Sequence, residues 1–596
     1  MASGTTPRGL PLDEATIQER LAAARQRLEA EAGLVDTGKR RHYATPKQRP
    51  FLAHECAETT LLFGGLTWKH DQLIQSALES LGYRCAALPT PDVAAFQIGR
   101  EFGNNGQCNP TYFTVGNLVQ YLQGLEAQGL SRAEIAERYV FFTAGACGPC
   151  RFGMYENEYR LALRNAGFEG LRVIVFQQSG GLDQEQAEAG LALNLDFFLA
   201  ILYAMMLGDL LGEVANQIRP YERETGATDR ALRAAVDDIG ATLRARRPFV
   251  LAASRGRALR RLPGGRRLDG WAKFLAALRD EALVAAAARA RARFDAVAID
   301  PLRAKPRVKV TGEFWAQTTE GDGNFNMFRF LEREGAEVLT EPVATWILYM
   351  VQGAQNKIRD RKGLAEGFVV PSWRRPRARA GVEWRAWRQI RRLDLAARLF
   401  EREYARLRLA LGGTAHAPVD QLELERMGHP FYNSRAGGGE GHLEVAKNIY
   451  YHNKGLAHMV LSLKPFGCMP STQSDGAQAA VQSRFPDMIY LPIETSGEGE
   501  INAHSRVQMA LGEARVKARE EFERAVAASG YSLEALQAGL ARVPELARPL
   551  ARLPHRPGIV GRAALTALAL GERLRAAGVA DAAPPAATLA AAGGLK

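Results

Sequence analysis

Apolar positions along the chain fall into two rhythms, one of helices and one of buried strands. Residues 12–34 space them as an amphipathic helix, and the polar basic linker DTGKRRHYATPKQRP follows. The next stretch, TTLLFGGLTWKHDQLIQSALESLGYRCAALPTPD, gives an apolar run, a Gly-Gly turn, a helical pattern, a glycine stop and a second extended segment. That order is the opening of a βαβ unit. RYVFFTAGACGPC and LRVIVFQQSGG are short runs of β-branched and aromatic residues that end in glycine-containing loops. Runs without polar alternation suit parallel strands covered on both faces.

The second half repeats this grammar. RVKVTGEFWAQTTEGDGNFNMFRFLEREGAEVLTEPV again reads strand, loop, helix, glycine, strand; AHMVLSLKPFGCMPS corresponds to the CGPC strand and DMIYLPIETSGEG to RVIVFQQSGG. The predicted fold class is therefore α/β, with two doubly wound parallel-sheet domains facing each other and helical extensions. The expected divisions are an N-terminal helix and linker at 1–52, a first α/β domain at 53–220, and a helical basic connector at 221–304. A second α/β domain at 305–514 carries a basic helical insertion at about 356–410, and a helical extension at 515–596 ends in a tail expected to be disordered. All βαβ proteins share such grammar, so the likeness of the halves speaks for a common fold class more than for a duplication.

Composition narrows the class. A chain of 596 residues with 46% hydrophobic and 24% charged residues is too long for one core and too apolar for a disordered protein. No apolar stretch of signal-peptide length opens the chain, and no later window holds about 18 uninterrupted apolar residues, so a cytoplasmic location is expected. The net charge of +12 is concentrated between Lys357 and Arg408, where 16 basic residues face 6 acidic ones. Within that stretch Trp384, Trp387, Ile390, Leu395 and Leu399 can share one side of an arginine-rich helix. Such a helix suits a solvated basic face, a phosphate-rich ligand, or peripheral contact with the inner face of a membrane. No helix-turn-helix, zinc-finger or RNP-type pattern accompanies the charge, and nucleic acid is not an expected partner.

The six cysteines bring in chemistry. Cys147 and Cys150 follow the strand YVFFTAG, and Cys468 follows the corresponding strand of the second half. Ligands of open α/β sheets gather beyond the carboxyl ends of the strands. Cys108, in GNNGQCNPTYF, shares the form Cys-x-Pro with Cys147 and Cys468. Proline pre-sets the first helical turn, and a cysteine there feels the positive end of the helix dipole, which favours thiolate. Four such thiols suit a 4Fe-4S cluster, a structural zinc, or, for CGPC alone, a redox dithiol. Zinc ribbons use two close pairs, whereas this chain has one. RVIVFQQSGG lacks the proline that thioredoxins set opposite their dithiol, and a dithiol leaves Cys108 and Cys468 unused. The spacing favours iron-sulfur. Cys85 reads as a core strand position and Cys56 as part of a polar lead-in, both structural.

Three further loops flank these positions. RAGGGEGHLEVAKN sets Gly437 to Gly439 before Glu440, His442 and Glu444; its glycines suit an oxyanion or phosphate, and Glu440 or His442 suits proton transfer. The same residues also suit a tight turn and helix cap. PIETSGEGEINAH offers Glu494, Thr495 and Ser496, and GEFWAQTTEGDGN offers Glu313 and Thr318, each with a structural reading beside the functional one. His429, before a proline, reads as a turn residue.

Taken in order, LLFGGLTWKHDQLIQSAL, EFGNNGQCNPTYFTVGNLVQYL, TAGACGPCRFGMYENEYR, GEFWAQTTEGDGN, GGGEGHLEVAKN, KPFGCMPS and IETSGEGEINAHSRVQM resemble the 2-hydroxyacyl-CoA dehydratase-related proteins. The likeness runs from about residue 50 to about 520. It is narrower still to the part of the large CoA-substrate-specific enzyme activase chains that follows their ATPase domains. The resemblance implies an iron-sulfur protein that accepts electrons from a partner ATPase of the sugar-kinase/actin-like class. That partner carries its own 4Fe-4S cluster and uses ATP to lower the electron's potential. In the dehydratases the electron forms a ketyl radical on a 2-hydroxyacyl-CoA, from which water is then lost. The chain has no G-x-x-x-x-G-K-[ST] and no leading pair of nucleotide-binding domains, so no ATP site is expected in it and the ATPase should act in trans. The implied activity is that of an iron-sulfur dehydratase (lyase) or reductase component of anaerobic metabolism. Two alternatives stand beside it: a reductase turning ester phospholipids into vinyl ethers, and a non-catalytic electron carrier or scaffold. The substrate the resemblance implies is an acyl-CoA or a lipid.

Overall fold

The computed structural model describes residues 14–31, 48–145, 150–177, 190–247, 265–362, 373–437 and 439–579. Cys147, Gly438, most of the N-terminal linker, the loop after RVIVFQ and the C-terminal tail lie outside the described residues. The helix Glu14–Glu31 belongs to a unit of its own, residues 1–49. Residues 50–596 form one compact unit.

That unit contains two four-stranded, all-parallel sheets. The first is built from β1 (Thr60–Phe63), β2 (Arg84–Ala87), β3 (Tyr139–Gly145) and β4 (Arg172–Gln177) in the order β2-β1-β3-β4. The second uses β5 (Arg307–Gly312), β6 (Glu337–Leu339), β7 (Met459–Pro465) and β8 (Tyr490–Thr495) in the matching order β6-β5-β7-β8. Each sheet reverses its winding between its first and third strands, and there its loops part to leave a crevice. The expected α/β class with two parallel-sheet domains is what the chain adopts.

The sheets differ in what covers them. In the first, Leu61, Phe63 and Val140 enter one apolar cluster while Leu62, Phe141 and Val173 enter another, so both faces are dry. In the second, Val308, Val310, Leu461 and Leu463 point into one apolar core. Lys309, Thr311, Ser462 and Lys464 occupy the alternate positions and are buried as well. A polar alternation that reads as a solvated face is here covered by protein, so each polar group needs a partner.

Several helices position the later argument. In chain order they are α1 (Trp68–Ser80), α2 (Val93–Phe102), α3 (Asn109–Ala127), α4 (Tyr155–Asn165), α5 (Leu195–Ile218) and α6 (Phe314–Thr318). They continue with α7 (Val343–Asp360), α8 (Pro376–Ala410), α9 (Gln421–Gly428), α10 (Gly441–Asn453), α11 (Met469–Arg484) and α12 (Glu500–Ser529). Helix α5 is long and apolar enough to cross a membrane, yet 78% of its apolar window is buried inside the protein. It is the core helix of the first domain. The connector helices Ala227–Ala245 and Ala282–Asp295 contribute Ile239, Ala286 and Phe294 to the same core, as does Tyr404 near the end of α8.

The two domains cap each other's helices. Glu320, from the loop after α6, accepts from Trp68 N (3.2 Å) and from Lys69 Nζ (2.8 Å) at the start of α1. Asp322 accepts from Val93 N at the start of α2 (2.9 Å). In return Asp209 of α5 accepts from Val343 N (2.7 Å) and Ala344 N (2.9 Å), where α7 has no side-chain cap of its own, and also contacts His70 Nε2 (3.2 Å). A carboxylate at a helix start satisfies N–H groups that have no intrahelical acceptor and meets the positive end of the dipole. The segment TTEGDGN is therefore a clasp between domains. Asp209→Ala leaves buried donors unpaired and should cost about 3 kcal/mol. Asp322→Ala removes one cap and should cost about 1 kcal/mol. Urea unfolding of both variants measures the two losses, and equal losses would contradict the assignment of Asp209 as the deeper joint.

Candidate functional site

Three cysteines from distant parts of the chain come to one place. Cys108 precedes α3, Cys468 precedes α11, and Cys150 precedes a short 3₁₀ turn, Arg151–Met154, that leads into α4. The backbone N–H of Asn109 donates to the carbonyl of Phe466 at 3.0 Å, joining the Cys108 loop to the Cys468 loop. Gly467 has φ +75°, and a Cβ on it would lie 3.3 Å from Cys108 Cα. Gly439 has φ +110°; a Cβ there would collide with Pro470 Cγ at 2.4 Å and lie 3.7 Å from Cys150 Cβ. The glycine-rich loop thus threads between the Cys150 and Cys468 segments, where no side chain fits. Cys147, four residues before Arg151, lies outside the described residues.

The two Cys-x-Pro segments carry the same second device. Cys108 Sγ lies 3.2 Å from Thr111 Oγ1, and the hydroxyl of Ser471, buried without another partner, acts on Cys468. The motif is therefore C-x-P-[ST], Cys108 to Thr111 and Cys468 to Ser471. Tyr155, at the start of α4, adds its hydroxyl to Cys108 at 3.2 Å. Neither Tyr155 nor the hydroxyl residue was anticipated, although the repeat of Thr and Ser three places after the cysteines is visible in the sequence.

Helix starts were expected to pull these thiols toward thiolate. The structure does the reverse. Burial raises the pKa of Cys108 and Cys468 and pushes Cys150 up to about 12, and the nearby carboxyls Glu313 and Glu440 add to it. In this pocket desolvation outweighs the dipole.

Glu440 and Glu313 sit beside the thiols as two interacting carboxyls. Glu440 Oε1 accepts from Phe314 N (2.5 Å), and Glu313 caps α6 through Ala316 N (2.9 Å). Burial raises both pKa values, and their mutual repulsion adds to that of Glu440, so the pair holds a proton where isolated carboxyls would not. Behind them α10 covers the polar face of the second sheet. Ser462 and Ser474 donate to Glu444 at 2.6 and 2.7 Å, and Lys464 lies 3.2 Å from it. Thr311 meets Asn448 at 2.8 Å. Lys309 pairs with Glu341 at 2.8 Å; burial brings the lysine down to about 8, while Lys309 and Lys447 hold Glu341 down at about 2 against the opposing effect of burial. Lysines inside the apolar runs RVKV and VLSLKP were the overlooked signal of this layer.

The other anticipated residues lie apart. His442 turns toward α9, where a Cβ on Gly428 would lie 2.9 Å from its Nε2. Its electrostatic neighbours there are Glu425, His429 and Arg435. Glu494 is exposed on β8. His429 hydrogen-bonds Ser434 in an exposed turn. Thr318 donates to Phe314 O, and Ser496 to Glu498 O, within their own turns. Cys56 donates to Gly190 O at 2.8 Å, and Cys85 lies on β2 against Leu61, both outside the pocket.

The donor set suits iron: among the described residues, buried Cys108 and Cys468 and half-buried Cys150 with no histidine beside them, hydroxyls at Cys108 and Cys468, and the Phe152 N–H on Cys150. Among the described residues no three His, Cys, Asp or Glu side chains converge on one point as ligands of a single ion. A 4Fe-4S cluster gives each cysteine a different iron and asks instead for thiols spread around a cavity. A bound cation would also reverse the pKa balance, since metal binding displaces thiol protons.

No family model matches the chain, and no curated protein matches it.

His442 generates a pH prediction. Burial brings its pKa down from 6.5 to about 4, so between those values the unfolded chain binds the proton and the folded one resists it. Stability should fall as pH drops through that window. His442→Gln should flatten this part of the curve in urea titrations at pH 7, 6 and 4.5; an unchanged slope would contradict the buried neutral imidazole.

Proposed function

We propose that this chain is the iron-sulfur component of an ATP-driven, low-potential reductase or dehydratase system, receiving electrons from a separate ATPase. The observation that carries the reading is the meeting of Cys108 and Cys150 from the first domain with Cys468 from the second, beside the Glu313–Glu440 carboxyl pair. Cys108, Cys150 and Cys468, with Cys147, would hold a 4Fe-4S cluster, which supplies one-electron transfer at low potential when bound.

The chain's own residues have separable tasks. Burial keeps water from the pocket, and water exclusion protects reactive species from side reactions. Glu440, whose carboxyl burial and then the neighbouring Glu313 push well above the ordinary range, is the group that would give or take a proton beside the thiols. A simple electron carrier has no use for a proton-bearing carboxyl pair, which favours a catalytic component over a scaffold. Exposed Phe466, Met469 and Met154 adjoin Cys468 and Cys150 in sequence. An apolar rim at the thiols suits the docking of an electron donor that must approach closely.

Anaerobically purified protein should carry about four iron and four acid-labile sulfide per chain. Reduction by dithionite should give an EPR signal. Cys108→Ser, Cys147→Ser, Cys150→Ser and Cys468→Ser should each lose iron and signal, whereas Cys85→Ser keeps both. Zinc in place of iron, or full iron in the four variants, would overturn the reading.

A further inference from the structure

Helix α8 carries an aromatic and basic face that the fold does not use. Its inward side is already supplied by Ala386, Leu393, Ala397, Phe400, Tyr404 and Leu407, which are buried or half-buried. Trp384, Trp387, Arg388, Arg391 and Leu395 fall within about 100° of the helix circumference and are all exposed. Trp384 is 54% exposed and Trp387 57%, values that set them apart from core residues. Trp373, just before the helix, is 75% exposed. From 373 to 402 the chain has ten arginines against three acidic residues. Among the described residues Arg388, Arg391 and Arg392 form no ion pair with a carboxylate.

The arrangement also discriminates between polyanions. The guanidinium of Arg388 lies 4.4 Å from the centre of the Trp384 ring, and that of Arg391 lies 5.7 Å from the centre of the Trp387 ring. A guanidinium already occupies one face of each ring, so stacking on a nucleobase would have only the other. Both indoles stay more than half exposed, and indoles beside guanidinium groups match the glycerol and phosphate level of a bilayer. Leu395 supplies an apolar contact that a nucleic-acid backbone would not reward. We infer that α8 is a peripheral membrane anchor, lying in the plane of an anionic lipid surface with Trp384, Trp387 and Leu395 inserted and its arginines on headgroup phosphates. This inference rests on α8 alone and does not depend on the redox reading.

The test is co-sedimentation of the full chain with vesicles of phosphatidylcholine alone or with 30% phosphatidylglycerol. The protein should sediment with the anionic vesicles only, and high salt should release it. Trp384→Ala/Trp387→Ala should abolish binding, and Arg388→Gln/Arg391→Gln should weaken it by roughly tenfold or more. All four positions are exposed, and circular dichroism checks that the variants stay folded. Failure of the wild-type chain to sediment would overturn the inference. So would tight binding to single- or double-stranded DNA that survives the double tryptophan substitution, which would make the face a nucleic-acid surface.

Discussion

The thiols meet because two loops from different domains touch through their backbones. Beside the hydrogen bond from Asn109 N to Phe466 O a side chain at position 467 would be crowded against Cys108, and at 439 it would collide with Pro470. Both glycines have positive φ, so geometry and space make the same demand. Bringing Cys108 near Cys468 is therefore a property of the assembled pair of domains. Asp209, Glu320 and Asp322 hold that assembly from the side, each lending a carboxylate to a helix of the other domain.

Burial then decides the chemistry. The second sheet turns Lys309, Thr311, Ser462 and Lys464 inward against α10 and its surroundings, and each polar group finds a partner among Glu341, Asn448 and Glu444. Such a layer is costly to form and costly to break, and it fixes the helix whose first turn presents Glu440. Close to it, the thiols and the Glu313–Glu440 pair sit in an environment that disfavours negative charge.

Much of this was legible in the sequence. The strands were, because uninterrupted apolar runs ending in glycine loops have few other homes, and the structure adds that the two halves also share one strand order. Cys147, Cys150 and Cys468 stand out because they follow strand ends, and Cys108 because it shares Cys-x-Pro with Cys147 and Cys468. Their convergence was less legible, since sequence spacing does not encode which loop of one domain meets which loop of another. The sign of their pKa shifts was missed for the same reason: helix dipoles are local, whereas burial and the neighbouring carboxyls belong to tertiary structure. Glu440 and His442 looked equivalent on the sequence. Two residues apart at a helix start they face different ways, Glu440 to the thiols and His442 to α9.

The central claim is that thiols of both domains bound one iron-sulfur site. Anomalous scattering at the iron edge from anaerobically grown, iron-loaded crystals tests it most directly. The account predicts iron density enclosed by Cys108, Cys150 and Cys468, adjoining Glu440; density held by residues of one domain alone, or located away from these cysteines, would contradict it.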